Sequence, residues 1–126
     1  MGNALPTTFE TLTPPIALPL SYDDILARLA ERFGKTPDME GLLFLIGMNE
    51  FGHPPRRNKF SKEEKQDLMH IAVCHLLSRR GYYHLAGHDD DGWPHYEQLL
   101  PVEEQGLEKQ ESLLKECMVE YFNESL

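Results

Sequence analysis

Only two cysteines occur in the chain, Cys74 and Cys117, and they lack CxxC spacing. Nothing in that usage demands a disulfide. It suits a reducing compartment, or burial of both thiols as small apolar groups. No apolar run approaches the roughly 18 residues of a membrane-spanning helix. The N-terminus has neither the basic nor the apolar region of a secretory signal. The expected location is therefore the cytoplasm, with no membrane partner. GxGxxG, Walker and GxSxG motifs are all missing, so no standard nucleotide loop or nucleophile elbow is present. Positive charge is also short. The formal net charge is −9, which argues against broad nucleic-acid binding because phosphate contacts need a basic surface.

What is present reads as one soluble globular domain. With 126 residues, 40% hydrophobic and 26% charged, the chain can bury a core without staples. The charge falls in blocks. Residues 1–52 sum to −4, residues 53–80 to +4 and residues 81–126 to −9. A basic middle between acidic flanks suits complementarity within the chain or between subunits.

Pro6, Pro14, Pro15 and Pro19 make residues 1–20 an extended, Pro-rich N-terminal arm, since proline removes helix donors. The arm also holds Leu5, Phe9, Leu12, Ile16, Leu18 and Leu20. That is apolar enough to pack along the domain or against a neighbouring subunit. A single helical domain is expected over 21–126. Ser21 with Asp24 caps a first helix that Gly34 ends. Asp38 caps a second, apolar on nearly every face and so expected at the centre, with Gly41 and Gly47 permitting close approach. Ser61 with Glu64 caps a third, and Pro101 opens a fourth. The expected fold class is all-α: a compact bundle of four main helices at about 21–33, 38–51, 61–80 and 101–122, with a short hairpin or loop excursion at 81–98.

That excursion, Gly81 to Glu97, concentrates the chemistry. It holds three of the six histidines, three of the five tyrosines, the single tryptophan and three consecutive aspartates. Asp91-Gly92 is a favoured two-residue hairpin turn. That turn sets His88 opposite His95 and puts His84, His88, His95 and Glu97 on one face. His88, His95 and Glu97 would then be candidate ligands for a divalent transition metal. The bland alternative is a loop whose Tyr82, Tyr83, Trp93 and Tyr96 cover the bundle. A third is a partner-binding loop with Trp93 as anchor, flanked by Tyr96.

A second metal set comes from Glu50-x-x-His53 and Asp67-x-x-His70, because carboxylate-x-x-His on two helices is how di-iron bundles hold their ions. His53 stands beyond Gly52 and before Pro54, which weakens it. Asp67, His70 and Cys74 form a stripe that would activate a thiolate, with His70 and Cys74 placed outward. His75 flanks the core. The order of three helices and a hairpin also matches a winged helix-turn-helix outline, with the third helix reading DNA, but its wing would carry Asp89, Asp90 and Asp91.

No catalytic set is complete. The leading expectation is a non-enzymatic interaction or regulatory module, homodimeric or bound to a protein partner, with no cofactor. The alternative is a metal-binding helical protein or enzyme, and the third is a DNA-binding protein.

Overall fold

Ser21, Asp38 and Ser61 each begin a helix, by the same device. In the computed structural model, which describes residues 19–102 and 107–125, Ser21 Oγ accepts from the Asp24 N–H at 3.1 Å. The Asp24 carboxylate accepts in return from the Ser21 N–H at 3.0 Å. Ser61 and Glu64 repeat this reciprocal box, and Asp38 accepts from the Gly41 N–H at 2.8 Å. These caps satisfy donors that a first helical turn leaves unpaired. They start α1 (Tyr22–Phe33), α2 (Met39–Phe51) and α3 (Lys62–Ser78); α4 spans Leu107–Ser125. Gly34 and Gly52, at φ 87° and 75°, close α1 and α2 in the left-handed conformation. The fourth helix was expected from Pro101, but Pro101 and Val102 are non-helical, and 103–106 lie outside the described residues.

The all-α expectation is overturned. Between α3 and α4, β1 (Tyr83–His88) and β2 (Pro94–Gln98) form a two-stranded antiparallel sheet. Among the described residues the architecture is four helices plus this sheet, a mixed α/β fold. The hairpin is part of the packing and not an excursion from it. Trp93 and Tyr96 lie against a cluster of Phe51, Phe60, Leu68 and Ile71. The main core lies on the other side, where Ile25 and Leu29 of α1, Leu42 and Ile46 of α2, Ala72 and Leu76 of α3, and Cys117, Met118 and Tyr121 of α4 meet.

The central helix is α3, not α2. It touches α2, α4 and both strands, and from Ile71 to Ser78 none of its residues is exposed. Cys74, expected to point outward, is 2% exposed. Its face of α3 is the one the hairpin covers, with Tyr83 and Tyr96 close to the thiol. A helical wheel built for a helix-only core has no element to place there.

The expected arm lies outside the described residues except for Pro19 and Leu20. Leu20 is tied to the end of α4. Its N–H donates to Asn123 Oδ1 at 2.6 Å, and its carbonyl accepts from Asn123 Nδ2 at 2.9 Å. Among the described residues no helix is long and apolar enough to cross a membrane.

The charge blocks find partners within the chain. Arg79 pairs with Glu124 through two hydrogen bonds of 2.6 and 2.9 Å. Arg80 pairs with Glu120 through two of 2.7 and 3.1 Å. Arg56 pairs with Asp91 at the hairpin tip. The bidentate arginine pairs of the basic middle therefore tie α3 to α4, while Arg56 and Asp91 are both solvent-exposed and add little.

Candidate functional site

The hairpin turn is organised by Asp89. Its Oδ1 accepts from the Asp91 N–H at 2.9 Å and the Trp93 N–H at 3.0 Å. Its backbone N–H donates to the Trp93 carbonyl, and its carbonyl accepts from the Gly92 N–H. The loop is therefore Asp90-Asp91-Gly92, three residues ending on a glycine at φ 89°. A two-residue type I′ turn centred on Asp91-Gly92 needs positive φ at Asp91 as well. Among the described residues only glycines have positive φ.

The extra loop residue changes the register. His88 faces Pro94, Gly87 faces His95, and a bulge lies between Leu85 and Gly87. Beyond it Leu85 faces Tyr96 and His84 faces Glu97. Directly opposed residues share a face and neighbours alternate, so His88 and His95 lie on opposite faces. The expected His88/His95/Glu97 set is not brought together. His84 Nε2 bonds Glu97 Oε1 at 2.6 Å, and His95 Nε2 bonds Asp89 Oδ2 at 3.0 Å. His95, followed by the Trp93 N–H, holds the Asp89 carboxyl below its ordinary range. Both pairs are solvent-exposed and add little to stability.

The second set disperses too. His53 meets the Phe51 ring edge-on, centroids 5.1 Å apart, and covers Gly92. His70 Nε2 lies 3.5 Å from Cys74 Sγ, and Asp67 is exposed. Glu50 turns to Tyr121. Among the described residues no group of three or more His, Cys, Asp or Glu side chains is arranged to hold a metal ion. The Asp67/His70/Cys74 stripe fails as a nucleophile for a separate reason. Burial pushes the Cys74 thiol up, so it stays protonated near neutral pH. Trp93, the expected partner anchor, turns inward and stacks on Phe51 with centroids 4.2 Å apart.

What the fold does assemble is a polar group at the junction of α2, α3, α4 and β2. The Tyr121 hydroxyl donates to Glu50 Oε2 at 2.7 Å and accepts from Asn49 Nδ2 at 2.6 Å. His75 Nδ1 lies 3.0 Å from the Tyr96 hydroxyl and 3.5 Å from Glu50 Oε1. A hydrogen on Nδ1 serves both oxygens, whereas a bare Nδ1 lone pair would face the carboxylate. The Tyr121 ring meets His75 edge-on at 5.5 Å, and Arg79 lies over that ring at 5.9 Å.

Burial sets the protonation states here. Desolvation lowers His75 below its ordinary value; the Glu50 charge opposes this and Arg79 adds to it. Desolvation, then the charges of Glu50 and Cys74, pushes Tyr96 up to about 12. Tyr121 is raised by burial and by its bond to Glu50. The group therefore rests as neutral imidazole and neutral phenols. It lines neither of two surface cavities, one at the loop from Arg56 to Glu64 and one between α3, α4 and β1.

From sequence, Glu50 belongs to a metal set and His75 lies beside the core, with nothing to join them. The signal for the pair was the helical phase of His75 on a helix covered on every side. That coverage depends on the hairpin and is invisible in α3 alone. Comparison with protein-family models, characterised proteins and solved structures finds no match for the chain.

Proposed function

We propose that this protein is a non-enzymatic interaction module that self-associates through the base of its hairpin. The observation that carries this reading is where apolar surface stays uncovered. Four large hydrophobic side chains are exposed among the described residues. Three of them, Leu85 at 47%, Leu99 at 55% and Leu100 at 53%, lie on the hairpin or at its exit. Leu99 and Leu100 are held there by N–H bonds to the Tyr82 carbonyl. Large apolar side chains left exposed on one hairpin and its exit support an association site there.

The occupant is a second copy. A chain of net charge −9 repels itself over most of its surface. The hairpin base, Tyr82–Leu85 with Glu97–Leu100, carries one carboxylate, Glu97, and His84 sits 2.6 Å from it. Two copies can meet there without opposing like charges. Nothing in this patch performs chemistry, and the polar group around His75 supports the hairpin from beneath. Two buried, unpaired cysteines suit a reducing, cytoplasmic setting.

The test is a pair of substitutions, Leu85→Glu and Leu99→Glu, examined by sedimentation velocity. Both side chains are exposed, so helicity by circular dichroism should be unchanged while the larger species disappears. Retention of that species in the double variant would place the contact elsewhere. A DNA-binding reading predicts salt-dependent retention on DNA; it is disfavoured because α3, its reading helix, has no exposed residue from Ile71 to Ser78.

A further inference from the structure

A groove of about 170 Å³ opens between α3, α4 and β1, lined by Val73, Leu77, Tyr83, Val102, Leu113 and Leu114 with Gln110 at its rim. Its volume equals roughly five to six waters of liquid, yet most of its lining surface is apolar. Val73, Leu113 and Leu114 are also the outer, partly buried members of the main core. Among the described residues the groove is thus an uncovered flank of that core.

Leu20 belongs to the same set of partly buried side chains packed on that core. It is fixed to α4, one wall of the groove, by its two hydrogen bonds to Asn123. Eighteen residues precede the described chain. They include Leu12, Ile16 and Leu18, with Pro14 and Pro15 between the first two. From Asn123 to Leu114 along α4 is roughly 14 Å at 1.5 Å per residue. A fully extended chain covers that in about four residues, the separation of Ile16 from Leu20, and Leu12 stands eight residues from Leu20. Residues 1–18 contain one charged side chain, Glu10, so seating Leu12 to Leu18 in an apolar slot opposes no charge.

We propose that the N-terminal segment of the same chain, through Leu12 and Ile16, occupies this groove and completes the core. Tyr83 belongs both to the hairpin base and to the groove lining, but Leu85, Leu99 and Leu100 do not line the groove, so the Leu85 and Leu99 substitutions test the self-association apart from this assignment. The occupant is the chain's own segment, joined through Leu20. A second copy's segment is the alternative.

The experiment uses the full-length protein with methyl-labelled leucine, isoleucine and valine. Cross-relaxation between the methyls of Leu12 or Ile16 and those of Val73, Leu77 or Leu114 is the expected result, and Ile16→Asp should abolish the Ile16 contacts and shift the groove methyls. A mixture of labelled and unlabelled copies, filtered for contacts between them, should show none of these signals. Signals only in that filtered experiment would overturn the assignment in favour of exchange between copies. No signal in either experiment would overturn it outright.

Discussion

Gly47 of α2 lies directly against the backbone of Leu68 in α3: a Cβ at Gly47 would stand 2.1 Å from the Leu68 carbonyl oxygen and 2.6 Å from its carbon. Two helices meet here backbone to backbone, at the point where both cores adjoin. Gly47→Ala sets two effects against each other. Helix propensity favours alanine by up to about 1 kcal/mol. Overpacking costs about 1–3 kcal/mol when side chains can yield, and a backbone carbonyl yields less. The variant should lose at least about 2 kcal/mol in urea denaturation. A variant as stable as the parent would show that the helices separate freely.

Trp93 stacks on Phe51 and docks the hairpin tip onto α2. The ring is only partly buried, so Trp93→Ala should cost about 2–3 kcal/mol, at or below the low end for tryptophan truncation. As the single tryptophan, Trp93 also reports this contact directly. Its emission should shift to longer wavelength with the unfolding of the helices and not before. A separate, earlier shift would mean that the hairpin is not part of the cooperative unit.

Burial of His75 gives stability a pH dependence whose sign can be worked out. Its folded-state value lies below the ordinary 6.5, so the unfolded chain binds the proton more readily. The stability it contributes is complete above pH 6.5 and is lost as pH falls through its depressed folded-state value. Glu50, Tyr96 and Tyr121 face it, with Arg79 and Glu124 nearby. Asp89, Glu120 and Glu124, held below their ordinary values, lose their contributions at lower pH. His75→Gln should therefore flatten the fall in urea midpoint between about pH 7 and pH 5.5. An unchanged slope would assign that fall to other groups.

Helix starts were legible because Ser21, Asp38 and Ser61 carry their partners within three residues. The close approach at Gly47 was legible from a glycine in an apolar helix. The mixed fold class, the register and the junction group were not. Asp89 decides the turn through bonds to Asp91 and Trp93, while the dipeptide Asp91-Gly92 by itself favours a different one. That difference of one loop residue moved His88 off the face of His95. Cys74 and His75 have their environment set by Tyr83, Tyr96 and Tyr121, which come from the hairpin and α4 and are far from α3 in sequence.

His84, His95, His75 and His70 pair with Glu97, Asp89, Tyr96 and Cys74 instead of with one another, so among the described residues added zinc has no convergent site to prefer. Protein purified without a histidine tag should show no rise in melting temperature on adding zinc or iron. A rise that saturates at one equivalent would restore the metal reading and locate ligands by titration of His84, His88 and His95 variants.

The most direct measurement is sedimentation of the wild-type chain across micromolar concentrations. Self-association through Leu85, Leu99 and Leu100 predicts a mass of about 29 kDa, twice the 14.5 kDa of one chain. A species that remains at 14.5 kDa throughout that range would contradict it.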